Sequence, residues 1–311
     1  MKKEIKDQII EALEAYMSLH KLSATVVAQS TGINASYISQ IRSGNYTVKV
    51  GDKEVEIANK YYEKLAEFCG YAIEKTYWQT EATAQLLSVM ATLEDAKLHG
   101  SFPTIIGETG SGKSYSAEIF MRANPLDTWI VKVGASDNLG DLLNKVIDAF
   151  GIVSGVTKSR RINDIIRTLR ARKENGLKPM LIFDESEYMR PPAFWAIKEL
   201  YDNLIGIASV VMLGTDQLTD HIEKLRKRNR DGIPQLYRRI KFGINTLPRI
   251  DRSYKMFLDG INADLRRFLI SNCDNYGELH DVLVRAQREA ERTGQPLTEN
   301  FVRTILNMPK Y

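Results

Sequence analysis

Gly107-Glu108-Thr109-Gly110-Ser111-Gly112-Lys113-Ser114 follows an apolar stretch, Phe102 to Ile106, and precedes a helix-compatible run from Tyr115 to Met121. The octet fits G-x-x-x-x-G-K-[S/T] in the strand, loop, helix setting that gives this pattern its meaning. Gly107, Gly110 and Gly112 let the loop curl until consecutive backbone N–H groups face one anion, at the start of a helix whose dipole favours negative charge. Glu108, Thr109, Ser111 and Tyr115 complete the wrapping segment. Lys113 is expected to reach the β- and γ-phosphates of a nucleoside triphosphate, and the Ser114 hydroxyl to take a position on Mg²⁺.

A partner motif lies downstream. Met180 to Phe183 is a compact apolar run ending in Asp184-Glu185, as expected of a buried parallel strand that delivers two carboxylates at its C-terminal edge. Asp184 is expected to hold Mg²⁺ through water, and Glu185 to orient and deprotonate an attacking water. Around these motifs, Trp129 to Val133 reads as a strand, Asn138 to Phe150 as a helix and Ile162 to Lys173 as a basic helix. Ala193 to Leu204 reads as a further helix, and Ala208 to Leu213 as a strand running into Gly214-Thr215-Asp216. Such alternation predicts an α/β fold: a parallel sheet covered by helices, with the ligand at the strands' C-terminal edge. From Asp251 onward the pattern is that of a helical lid.

The chain has 311 residues, 43% hydrophobic and 26% charged, so two or three globular domains are expected. Its 43 basic and 39 acidic residues leave a net charge of only +4, and local clusters therefore matter more than the total. One cluster comprises Lys158, Arg160, Arg161, Arg167, Arg170, Arg172, Lys173 and Lys178. A second comprises Lys224, Arg226, Lys227, Arg228, Arg230, Arg238, Arg239 and Lys241. Either is a solvated helix face or a polyanion-binding surface; two in one nearly neutral chain favour the latter. Cys69 and Cys273 are far apart and lack partners at metal-ligand spacing. No apolar run approaches bilayer length, which predicts a cytoplasmic protein without a membrane partner.

Residues 1 to about 65 are helical in pattern. Within them Ala24 to Ser43 has helix-turn-helix spacing, with Ala28 small where helices cross, Gly32 in the turn, and Ile33, Ile38 and Ile41 pointing inward. Ser36, Tyr37, Gln40 and Arg42 are left outward, a set suited to base edges and phosphates in a major groove. The other reading is a helical bundle for protein contacts. With Arg42 the only basic residue of that helix, its DNA affinity alone should be modest. Glu54 to Leu98 reads as helix with polar interruptions such as Lys75 to Thr80, and Trp78 there either stacks on a base or packs under the next domain. The expected domains are 1–65, a helix-turn-helix unit; 66–98, a helical linker; 99–250, the nucleotide-binding α/β domain; and 251–311, the lid.

Taken in order, Gly107 to Ser114, Leu181 to Glu185, the strand ending at Thr215, and Leu236-Tyr237-Arg238-Arg239-Ile240 resemble the AAA+ ATPases. With a helix-turn-helix ahead of the module, the chain is similar to the family of the bacteriophage Mu target-selection protein MuB and its transposon relatives. The resemblance implies an ATPase that polymerises on double-stranded DNA with ATP bound, presents that DNA to a transposase, and is disassembled by hydrolysis. It also implies a homo-oligomer with ATP between subunits, completed in trans by an arginine; Arg239 matches that position and Arg238 is the reserve. Thr215 stands at the first sensor, where a longer polar residue such as Asn is usual. His280 stands where the lid of the Mu protein carries an arginine, with Arg285 one turn beyond. Both departures imply slow turnover. A nucleotide-switched operator-binding regulator and a helicase-loader-like protein are the alternatives.

Overall fold

The computed structural model describes residues 1, 3–50, 53–71 and 77–309. They fall into two compact units, 1–76 and 77–311.

In the first unit, α1 (Lys3–His20), α2 (Ala24–Thr31) and α3 (Ala35–Arg42) are followed by a hairpin of β1 (Thr47–Val50) and β2 (Lys53–Glu56), then by α4 (Asn59–Cys69). Ile9, Leu13 and Met17 recur every four residues along one face of α1. They bury against Val27, Ile33, Ile38, Ile41, Tyr62 and Leu65. Ser23 and Asn34 cap α2 and α3 with side-chain oxygens, and Gly32 ends α2 at a φ of 65°, where a side chain would be strained. Residues 54–56 are therefore strand, not the start of a helix as their sequence suggests. Lys6 is buried on α1, and its Nζ lies 2.9 Å from Glu56 Oε1 on β2. That ion pair and Val48 fix the hairpin to the helices. Of the interruption expected from Lys75 to Thr80, residues 75 and 76 lie outside the described residues, as does the rest of the stretch 72–76, and residues 77–80 are not helical.

The second unit opens with α5 (Ala84–His99), β3 (Thr104–Ile106), α6 (Lys113–Ala123), β4 (Thr128–Lys132), α7 (Leu139–Phe150) and α8 (Lys158–Glu174). It continues through β5 (Met180–Asp184), α9 (Pro191–Leu204), β6 (Ser209–Gly214), α10 (Asp216–Lys227), α11 (Ile233–Ile240) and β7 (Ile244–Thr246). The sheet is wholly parallel in the order β4-β5-β6-β3-β7. From β3 the chain crosses to the far edge and then works back, so right-handed crossovers place α6 on one face and the later helices on the other. Accordingly Ile105, Met180, Ile182, Val211 and Leu213 pack with α5 and α6. Leu181, Phe183, Val210 and Met212 pack instead with α7 to α11. Burial on both faces explains why β5 is continuously apolar. β4 starts and ends one residue earlier than its pattern suggests, because Val133 only extends the ladder through its N–H to the Asp184 carbonyl.

Lys97 ties α5 to the sheet. Its half-buried ammonium lies 2.5 Å from Asp127 Oδ1 and also donates to Thr128 Oγ1 and the Lys178 carbonyl, while Asp127 Oδ2 accepts the Lys178 N–H. Removing one partner strands the other charge. We expect Lys97→Met to lower unfolding free energy by about 3–5 kcal/mol in urea melts, and Lys97→Met with Asp127→Asn to recover part of it.

After β7 come α12 (Ala263–Asn272), α13 (Tyr276–Thr293) and α14 (Glu299–Ile305), around a core of Leu258, Leu265, Phe268, Leu269, Leu279 and Leu283. No helix among the described residues is long and apolar enough to cross a membrane.

Candidate nucleotide-binding site

The carboxyl ends of β3 and β6 are neighbours from which the chain departs in opposite directions, the switch point where parallel sheets leave a crevice. The loop from Gly107 to Gly112 fills it. Gly110 and Gly112 have φ values of 70° and 86°, which turn successive amides the same way ahead of α6. Lys113 begins α6 and is buried, its Nζ donating to the Gly107 and Glu108 carbonyls at 2.8 Å each. Burial pulls its pKa below the ordinary lysine value, and Glu187, Asp184, Asp216 and Glu108 act in the opposite sense. An ammonium so placed among acceptors fits a polyphosphate, as do the inward amides and the buried Ser111 hydroxyl, which has no hydrogen-bond partner among the described residues. Ser114, beside it in the first turn of α6, is exposed; Thr109 is exposed at the loop's outer bend.

Asp184 ends β5 beside this loop, 7% exposed, with Oδ1 accepting the Glu185 N–H at 2.9 Å. Hard oxygen donors such as Asp184 and Ser114 suit Mg²⁺, whose chemistry there would be to neutralise phosphate charge. Glu185 occupies the left-handed region at φ 55°, unusual for a residue with a side chain. That turn carries its carboxylate toward β4, where Lys132, in register with Asp184, lies 2.9 Å from Oε1. The contact holds the Lys132 pKa above its usual value. Thr215 follows β6, half-buried, and its hydroxyl lies 3.3 Å from Glu187 Oε1.

Beside the loop opens a cavity of about 320 Å³ lined by Trp78, Leu86, Gly110 to Ser116, Phe257, Tyr276 and His280. Trp78 stacks on Phe257 with ring centroids 4.7 Å apart and meets His280 edge-on. It thus packs on the helical layer and walls the cavity at once. Tyr115 lines the same space and its hydroxyl bonds Thr80. The beginning of α13 rests on the phosphate loop, since a Cβ on Gly110 would fall 2.1 Å from Asn275 Oδ1. Arg252 adds a 2.8 Å ion pair to Glu108 of that loop. His280 borders the aromatic end of the cavity and pairs with Asp281 at 3.0 Å. Arg285 is exposed and does not line the cavity.

Arg239 and the basic residues lie elsewhere. Arg239 is held on its own chain, with Nε 2.7 Å from Asp202 Oδ1, Nη1 on the Gln235 carbonyl and the guanidinium over Tyr201. Arg238 is exposed, with no hydrogen bond or ion pair among the described residues. Arg160 and Arg161 open α8, and Arg161 donates to the Gly155 carbonyl. Lys224, Arg226, Lys227 and Arg228 crowd the end of α10, where they also complement the helix dipole. Arg226 is paired with Glu223, while Lys224 and Arg228 point to solvent.

In the first unit, the outward set of α3 needs correction at Tyr37. Its ring packs on Tyr61 at 4.9 Å, against the core. Ser36 donates to Asn34, Gln40 accepts from Asn45, and Arg42 is paired bidentately with Glu14. Ser36, Gln40 and Arg42 remain exposed.

Fold and site together define a nucleotide-binding domain of the AAA+ ATPase type, and residues 96–222 match the family model described as AAA domain. Among curated proteins the chain is similar to the Mu-like prophage FluMu DNA transposition protein B of Haemophilus influenzae. The two are 24% identical over 210 residues, 68% of this chain and 70% of that protein. Among solved structures, Cdc6p of Pyrobaculum aerophilum superposes with a TM-score of 0.57 at 14% identity, over 76% of this chain and 69% of its own. ORC2 of Aeropyrum pernix, in its ADPNP-ADP complexes, gives 0.51 at 15% identity, over 72% of this chain and 66% of its own. At such identities these two establish the fold alone.

Proposed function

We propose that the chain is an ATP-dependent DNA-binding ATPase that assembles on duplex DNA and delivers it to a transposase. The observation that carries the ATPase part is the buried Lys113 ammonium at the switch point, ringed by main-chain acceptors and by the acids after β5. Likeness to a DNA transposition protein supports the rest. Gly107 to Tyr115 would cradle ATP, with the adenine in the aromatic cavity of Trp78 and Phe257. Ser114 and Asp184 would hold Mg²⁺. Glu185 would leave Lys132 to take a proton from the attacking water, with Thr215 orienting that water. Arg239, released from Asp202, would reach the neighbouring subunit's nucleotide; Arg238 is free to do so without that rearrangement.

The basic residues of α8 and α10, with Ser36, Gln40 and Arg42, would track phosphates and so bind nearly without regard to sequence. A sequence-specific operator reader is less well supported, because α3 carries a single basic residue while most of the clustered basic side chains lie on α8 and α10, outside the helix that would read base edges. The expected bounds shift with the two compact units, because α4 completes the first core beyond residue 65 and α5 packs on the sheet instead of linking. This reading therefore takes residues 1–76 as the DNA-binding unit, 77–250 as the ATPase and 251–311 as the lid, in a cytoplasmic protein. Electron microscopy of the protein with duplex DNA and ATP or a slowly hydrolysed analogue tests it. Filaments or rings are expected only with nucleotide, and single base changes should alter affinity far less than the roughly 1–3 kcal/mol per mismatch of an operator reader. Absence of nucleotide-dependent assembly on DNA would end this reading.

A further inference from the structure

Thr215 is the N-cap residue of α10, yet its hydroxyl caps nothing. A threonine there ordinarily accepts a backbone N–H of the first turn. Here the side chain turns instead to Glu187, whose Oε1 lies 3.3 Å away and, as a carboxylate, can only accept. Glu187 reaches that place because the left-handed turn at Glu185 folds residues 186–188 into a single 3-10 turn under the end of β6. The His221 ring, on α10, lies beside the Glu187 main chain. Gly214 leaves room for the carboxylate, since a Cβ there would come within 3.0 Å of Glu187 Oε2. Oε2 is itself buried, with no hydrogen-bond partner among the described residues. Forgoing a helix cap and burying a half-satisfied carboxylate both cost stability, and the arrangement stands beside Lys113 in the phosphate crevice.

We propose that Glu187 is a positioning residue that accepts the Thr215 hydroxyl proton and so turns Thr215 into a pure acceptor for the attacking water. This inference rests on the ATPase reading above. A hydroxyl carries one proton; once that proton is engaged by Glu187, only lone pairs face the crevice. The water then donates one hydrogen bond to Glu185 and one to Thr215, which leaves its own lone pair toward the γ-phosphorus. As the new oxygen–phosphorus bond forms and the bond to the β-phosphate oxygen breaks, Glu185 takes the first proton. The second stays on the phosphate product. Glu187 moves no proton; it sets the rotor.

The test measures ATP turnover and, separately, affinity for a slowly hydrolysed ATP analogue by calorimetry, with folding checked by thermal melts. Glu187→Leu should lower kcat about tenfold to a hundredfold and leave analogue affinity within about twofold. Thr215→Val should do the same, and the double variant should fall no further than either single one, as expected of groups acting as a unit. Glu187→Gln should stay within about threefold of the parent, because its amide oxygen accepts the same proton. Glu187→Ala replaces the leucine variant if that chain melts early. Multiplying effects of the two single changes, an unchanged kcat in Glu187→Leu, or weakened analogue affinity at full kcat would each overturn the inference while the parent chain still hydrolysed ATP. A parent chain with no ATP turnover at all would instead overturn the ATPase reading, and this inference with it.

Discussion

Replacing Lys113 by alanine is expected to abolish nucleotide binding and ATP turnover together. The ammonium is buried, donates only to the Gly107 and Glu108 carbonyls, and is disfavoured there by desolvation. An arrangement that costs stability in the free protein gains its purpose when an anion enters and the ammonium exchanges carbonyls for phosphate oxygens, a stronger charge-assisted pairing. Loss of one preorganised donor at developing charge costs on the order of 10²–10³ in rate, and here the same group also serves ground-state binding. Calorimetry with an ATP analogue should register at least a hundredfold weaker affinity, on the same scale of about 2.7–4 kcal/mol. The variant should fold, because alanine removes the desolvated charge and the exposed mouth of the crevice admits water to the two carbonyls. A Lys113→Ala chain that bound and hydrolysed ATP normally would remove the phosphate loop from the site altogether.

How much of this could be read beforehand follows from how local each signal is. The phosphate loop is local: glycines at fixed offsets, a lysine and a serine state their geometry without reference to the rest of the chain. β5 is nearly as legible, because burial on both faces makes Met180 to Phe183 uniformly apolar. The hairpin of β1 and β2 escapes the same reading, since Lys49, Glu54 and Glu56 break its apolar pattern around the buried Val48. Tyr37 turns inward against Tyr61, a contact made across α4 and thus invisible to the periodicity of α3.

The missed members of the site share one property, that long-range placement gives them their meaning. Lys132 matters only because β4 and β5 pair in a register that puts it opposite Asp184. Arg252 matters because the helical layer after β7 folds back onto Glu108, and Phe257 because it returns to stack on Trp78, the residue whose two roles the sequence left open. Glu187 had a faint local signal, a second acid two positions past Glu185, but nothing in the spelling announces the left-handed turn that swings it beneath Thr215.

Replacing Glu185 by glutamine is expected to separate binding from hydrolysis. Glutamine keeps the length and polarity of the side chain but cannot take a proton from water, and loss of a positioned general base costs typically 10²–10⁴ in rate. Asp184, the buried acid assigned to the metal, is untouched, and Lys113 keeps all its bonds, so affinity for ATP should stay within about threefold of the parent on the scale of an exposed ion pair. The fold should also persist. Glu185 meets Lys132 at an open edge where the lysine side chain is 69% exposed, and such pairs contribute about 0–1 kcal/mol. Under the proposed function, a chain that binds ATP and cannot spend it stays assembled. Electron micrographs of Glu185→Gln with duplex DNA and ATP should therefore show polymers that outlast those of the parent chain, and phosphate release should fall at least a hundredfold. If phosphate release continued at the parent rate, the base would have to be another group, and the pairing of Glu185 with Lys132 would be structural only. If release fell but polymers dissolved as fast as the parent's, disassembly would be independent of hydrolysis and the proposed cycle would fail at its last step.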